Sequence, residues 1–167
     1  MTKLQSKELF SSQYFSVHEN ENGSHYVVAC GGAAVIALDA QNRILLTREF
    51  RPKLNKVVWR IPAGKAEIGE DNLSNARREF REESGYDARK MELFIDFEGT
   101  SSLFHQRKSF FVATDLFESP LDTGDEIEKP EVHFLKPQQV LQLLNEGEIL
   151  GDVAAALYRF LHVYKLI

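Results

Sequence analysis

A single α/β domain is predicted by three features of the chain. Short apolar runs bounded by turn residues alternate with amphipathic stretches at helical spacing, and no internal repeat or low-complexity tract interrupts them. In addition, 167 residues with 43% hydrophobic content suit one well-filled core and are short for two. Residues 1 to 28 read as N-terminal antiparallel strands, either a separate sheet layer or a dimer arm, and residues 29 to 167 as the main domain.

The elements follow in order. Gln13 to Val17 and Tyr26 to Cys30 read as the N-terminal strands, joined through the polar turn Glu19-Asn20-Glu21-Asn22-Gly23. Gly31-Gly32 breaks the pattern before a strand from Ala33 to Leu38, and Asp39-Ala40-Gln41-Asn42 predicts a tight turn into Arg43 to Glu49, a hairpin. A central helix is expected with Asp71 or Asn72 as its cap and Gly85 as its left-handed end. Its apolar stripe is Leu73, Ala76 and Phe80. Phe110 to Ala113 and Val132 to Leu135 read as strands. Pro137 opens a helix whose stripe is Val140, Leu141 and Leu144 and which Gly147 closes. Asp152 caps a last helix burying Val153, Ala156, Leu157, Phe160 and Leu161.

Composition narrows the function classes. Twenty basic against twenty-five acidic side chains leave a net charge of -5, which argues against broad binding to nucleic acid or anionic membrane. An acidic chain that handles polyphosphate needs a cation to cancel the repulsion. Cys30 is the only cysteine and cannot form an internal disulfide, and the first fifteen residues lack an apolar signal core. The address expected from these features is cytoplasmic.

The central helix carries the chemistry. At about 100° per residue, Glu79, Glu82 and Glu83 share one arc beside the apolar face, where like charges repel by a few tenths of a kcal/mol per pair. Hard cations such as Mg²⁺ take oxygen ligands from one or two carboxylates plus substrate phosphates, so a metal would relieve that repulsion. Arg78 lies four residues before Glu82, within reach of the same carboxylates. Acidic helical stretches are commonly solvated faces. This one, however, sits at fixed spacing from Gly64 and Glu70.

Gly64, Glu70, Arg78, Glu79, Glu82, Glu83 and Gly85, with Phe80 and Tyr86 at the apolar positions, reproduce the full signature of the Nudix hydrolases, and the chain resembles that family. The resemblance implies an α/β/α sandwich with a mixed β-sheet that cleaves a nucleoside diphosphate linked to another moiety. It implies Glu79 and Glu83 as the principal ligands of Mg²⁺ or Mn²⁺, joined by Glu82 and the Ala63 carbonyl, with Arg78 orienting the carboxylates. Gly64 then permits close approach of the loop, and Glu70 braces it.

The flanks resemble one branch, the ADP-ribose and nucleoside diphosphate sugar pyrophosphatases. The similarity runs through Arg43 to Arg51, Trp59 to Gly64, and Glu146 to Ile149 with Asp152. On that pattern the N-terminal strands pair or swap across a homodimer. Departures fall where the substrate is read: Glu49 stands for the usual glutamine, Arg60 for a glutamate, and the loop from Gly99 to His105 lacks the usual proline. Replacing an acceptor with a five-donor fork reverses the hydrogen-bond demand, which weakens ADP-ribose as the substrate and leaves another nucleoside diphosphate sugar, GDP-mannose for instance, open beside it. Candidate substrate contacts are Arg51, Glu49, Arg60, Trp59 and Arg107, with Lys108 beside them; the basic ones serve equally well as solvated surface, and Trp59 as core. The general base expected on the acidic loop Asp122 to Glu128 is Glu126, or Asp125 one residue earlier, with Glu82 as the fallback. His105, His133 and His162 lack metal spacing and read as packing or surface residues. A nucleoside triphosphate or dinucleoside polyphosphate hydrolase, and a non-catalytic nucleotide-binding module, are the alternatives.

Overall fold

A computed structural model of the chain describes residues 6–67, 69–99, 101–121 and 130–167. The expected base candidates Asp125 and Glu126 lie outside the described residues.

The N-terminal sheet has the order β1 (Ser6–Ser11), β2 (Phe15–Asn20), β3 (His25–Ala29) and β9 (Phe104–His105). No residue in these four strands is fully buried, and Leu9, Phe10, Phe15 and Phe104 are exposed. The strand β1 has no counterpart in the sequence reading, and β2 begins two residues later than expected. The cause is a turn at Ser12, whose hydroxyl accepts the N–H groups of Tyr14 and Phe15 and donates to the Phe15 carbonyl.

The central sheet is mixed. It runs β7 (Ala63–Lys65), β4 (Gly32–Ala37), β10 (Arg107–Glu118) and β8 (Tyr86–Glu98), with β4 parallel to β10 and the other pairs antiparallel. All six residues of β4 are buried, and its alternation divides them between two cores. Ala33, Val35 and Ala37 face helix α1 (Asn72–Ser84) in a cluster with Ala76, Phe80 and Phe111. Ala34 and Ile36 face helices α2 (Pro137–Asn145) and α3 (Gly151–Val163), in a cluster with Val140, Leu144, Leu157 and Phe160. The result is an α/β/α sandwich. Removing an aromatic ring such as Phe80 from water stabilises the fold by about 1.5–3 kcal/mol.

A third sheet, β11 (Glu131–Leu135), β5 (Ile44–Arg51) and β6 (Lys56–Arg60), is antiparallel throughout. It corrects the expected hairpin of residues 33–38 with 43–49, because β4 and β5 separate into different sheets and keep only the bridge between Leu38 and Ile44. The Asp39 carboxylate caps the turn between them, accepting the N–H groups of Gln41 and Arg43.

Two helix details also depart from expectation. Leu73 is exposed rather than part of the buried stripe, and Asn75 is buried instead. The buried arc of α1 is Asn75, Ala76 and Phe80, with Glu79 and Glu83 half-buried beside it, and Leu73 falls outside it. Gly32 and Gly64 permit the close packing here: a Cβ on Gly32 would overlap the Gly64 carbonyl, and one on Gly64 would overlap the Glu79 carboxylate. In α3, Leu150 occupies the cap position and Asp152 lies in the first turn, where Lys108 Nζ on β10 holds its carboxylate at 2.7 Å.

Candidate active site

Helix α1 is fixed at both ends by local chemistry. Asp71 caps it by accepting the N–H groups of Leu73 and Ser74, and Gly85 ends it in the left-handed region at φ 77°. Asn75 donates to the Lys65 carbonyl at 2.9 Å, and Asn72 donates to Ser109, which in turn donates to Asp96. These bonds tie α1 to β7, β10 and β8, and so set where its glutamates stand.

Arg78 is the hub of the acidic cluster. All five of its N–H donors are used: Nε and Nη2 grip the two oxygens of Glu70 at 3.0 Å each, Nη2 also reaches the Lys65 carbonyl, and Nη1 serves Glu79 and Glu82 at 2.9 Å each. Glu70 therefore braces the loop. Its pKa lies below the ordinary value, chiefly through the Arg78 hydrogen bonds, and it also accepts the Glu67 N–H. The Arg78 guanidinium is held still more firmly in its charged form.

Glu79 and Glu83 behave in the opposite way. Burial raises the pKa of Glu79 even though Arg78 opposes the shift. Burial pushes Glu83 up to about 8, against the hydrogen bond that its Oε2 accepts from the Ala63 N–H at 2.9 Å. Glu79 and Glu49 add repulsion at Glu83, and Arg51 relieves part of it. Two neighbouring carboxylates that resist ionisation in water form a donor set suited to a hard cation. Among the described residues, no group of three or more His, Cys, Asp or Glu side chains stands ready as a metal cluster. Arg78 occupies one oxygen each of Glu79 and Glu82.

Two hollows flank this cluster. One, of about 420 Å³, lies over Lys65, Arg78 and Glu79 and is walled by Gln13 and Tyr14 from the N-terminal sheet, with Lys65 Nζ 4.3 Å from the Tyr14 ring centre. The other, of about 560 Å³, lies between the β5–β6 turn and the start of α3 and includes Arg51, Trp59, Arg60 and Asp152 in its lining. Glu49 Oε1 holds both guanidinium groups beside it, Arg51 at 2.8 Å and Arg60 at 2.9 Å.

Arg51, Glu49, Arg60 and Trp59 are thus brought together, and Glu79, Glu82, Glu83 and Arg78 converge with Gly64 and Ala63. Arg107 lies apart from both hollows, exposed beside Glu98. Tyr14, Lys65 and Asn75 were not singled out from the sequence. Tyr14 comes from the remote turn between β1 and β2, and the other two sit at variable positions of the motif. Asp152 was read as a cap and is a pocket residue.

A model of the NUDIX domain family matches residues 30–157. Over 136 residues the chain is 32% identical to the methanol dehydrogenase activator of Bacillus methanolicus, covering 81% of this chain and 74% of that protein. It is 30% identical over 136 residues to the ADP-ribose pyrophosphatase of Bacillus subtilis, covering 80% and 72%. A crystal structure of an ADP compounds hydrolase superposes with a TM-score of 0.75 at 20% identity over the full length of both chains, a likeness of fold. On these grounds, and with the helix and glycine geometry above, the chain belongs to the NUDIX family and is homologous to its ADP-ribose pyrophosphatases.

Proposed function

We propose that the protein is a metal-dependent pyrophosphatase that hydrolyses the diphosphate of a nucleoside diphosphate sugar, giving a nucleoside monophosphate and a sugar phosphate. The observation that carries this reading is Glu79 set against Gly64 and Glu83 held on the Ala63 N–H, both with pKa values raised by burial, with Arg51 and Arg60 lining a pocket on the neighbouring strands. Glu79 and Glu83, with Glu82 and the Ala63 carbonyl, would hold Mg²⁺ or Mn²⁺. When bound, the cation neutralises phosphate oxygens and acidifies a water.

The remaining work belongs to the chain. Arg78 holds the rotamers of Glu79 and Glu82 through one oxygen of each and leaves the other oxygen free. Arg51, near Glu83, offsets charge on the diphosphate. Glu126 takes the proton from the attacking water, with Asp125 as the neighbouring candidate and Glu82 as the fallback. Residues 1 to 28 act as a dimer arm ahead of the catalytic domain, a reading supported by the apolar side chains exposed on β1 and β2. No helix among the described residues is long and apolar enough to cross a membrane. The address proposed is cytoplasmic, and the net charge of -5 argues against nucleic acid as a partner.

The test is a panel of ADP-ribose, GDP-mannose, UDP- and ADP-sugars, ATP and dinucleoside polyphosphates with Mg²⁺ or Mn²⁺, with products identified. Monophosphate release from a diphosphate sugar, abolished by chelator, is the expected result. Turnover confined to ATP or dinucleoside polyphosphates would move the assignment to the alternative hydrolase class.

A further inference from the structure

We propose that the pocket between the β5–β6 turn and the start of α3 is the base subsite and that it selects guanine. The inference rests on the nucleoside diphosphate reading above and adds the identity of the base.

Arg60 carries the argument. Its side chain is only 23% exposed, yet among the described residues just one of its five N–H donors, on Nη1, has a hydrogen-bond partner, Glu49. A guanidinium on a cavity wall with four donors free of protein partners can serve a ligand that offers paired acceptors. Across the same cavity stands the carboxylate of Asp152, fixed by Lys108 Nζ at 2.7 Å and by the Val153 N–H. Between them lies an apolar lining that includes Leu54, Val58 and Leu150, suited to the face of a flat ring.

Among the bases, guanine fits both polar ends at once. Its O6 and N7 form an acceptor pair that a guanidinium reads bidentately. Its N1–H and exocyclic amine form a donor pair that a carboxylate accepts. Adenine turns a donor, its 6-amino group, toward any fork that reaches its N7. Uracil offers neither an adjacent acceptor pair nor an adjacent donor pair, and cytosine offers no adjacent donor pair. Arg51, held by the same Glu49 oxygen as Arg60, also lines the pocket and is the group on its wall suited to the diphosphate.

The chain has one tryptophan, Trp59, which belongs to the pocket lining with its ring against His133 and Arg48, so its fluorescence is one readout of occupancy. GMP, AMP, UMP and CMP are titrated into the full-length protein, with calorimetry alongside. The expected result is quenching or a shift by GMP at an affinity at least about tenfold above the other three, because only guanine engages both polar ends of the pocket. Arg60→Gln should lower GMP affinity about tenfold or more and level the four nucleotides. Asp152→Asn on the opposite wall should reduce the same preference, and it decides the matter if Arg60→Gln does not fold. Equal or tighter binding of AMP or UMP would overturn the proposal. So would an Arg60→Gln protein that folds and keeps the GMP preference, or binding of none of the four by calorimetry. Failure of the hydrolase reading is distinguishable: GMP would bind at the pocket while no diphosphate sugar in the panel is cleaved.

Discussion

The carboxylate cluster and the pocket beside Trp59 lie next to each other but are built on different terms. Ala63, Gly64, Glu70 and α1 form one continuous stretch of chain, so the cluster is assembled by local turns, caps and the five bonds of Arg78. The pocket joins Arg51 and Arg60 to Leu150 and Asp152, residues that meet only because β6 lies alongside the segment entering α3, where the Trp59 N–H reaches the Glu148 carbonyl at 3.4 Å. The first region is short-range and almost saturated with hydrogen bonds. The second is long-range and keeps donors open. A site that handles an invariant diphosphate suits the first design, and one that reads a variable group suits the second.

The largest effect should separate the two. Glu83→Gln is expected to lower turnover at least about a hundredfold with the fold intact, by removing a carboxylate from the cation's donor set. GMP affinity at the Trp59 pocket should stay within about twofold of the parent. A matching loss of nucleotide affinity would mean that the two regions act as one, and unchanged turnover at saturating Mg²⁺ would remove Glu83 from the metal assignment.

Gly64→Ala attacks the same stretch through sterics. Its Cβ would displace the Glu79 carboxylate, the end of a flexible side chain, so Tm should fall by at most about a few degrees. Turnover should fall with it. A variant with the parent's turnover would show that the Glu79 carboxylate can shift without cost.

The smallest effect is on pH. The folded state keeps the Glu83 proton up to about pH 8, whereas an unfolded glutamate releases it near its ordinary value of 4.5. The folded chain therefore binds more protons between these limits, and without divalent cation its stability should fall as pH rises through that window. Because a cation competes with the proton, the Tm increment from Mg²⁺ should grow from pH 6 to pH 8.5. A constant increment would place the cation away from Glu83. The Trp59 pocket, probed by GMP, should show no such dependence.

How much was legible follows the same division. Gly64, Glu70 and the α1 glutamates were readable because the motif's spacing is its geometry, and the caps Asp71 and Gly85 followed from residue type. The buried arc of α1 was not fully readable. Helical periodicity places Leu73 on the apolar side, whereas the space that admits the Glu79 carboxylate depends on the missing side chain at Gly64. Strand β8 escaped notice because its charged residues break up the apolar run, and the sheet partners of β4 and β5 escaped because a tight turn at Asp39 looks the same whether the strands pair or part. Arg60 was flagged by chemistry alone. Its partner across the cavity, Asp152, was read as a helix cap until Lys108 was seen to hold it.

The parallel pairing of β4 with β10 also orders events in time. Gly32 lies opposite Lys108, and everything between them, including β7, α1 and β8, is the loop that this pairing must close. Long closures of this kind slow folding, since the entropy of the loop is lost before the contact is gained. The enclosed segment contains its own caps and the Arg78 bonds, so it can shorten the loop by forming first. The same bonds that hold the glutamates would then speed folding, and variants of Asp71 or Arg78 would be slow to reach the native state as well as poor at chemistry.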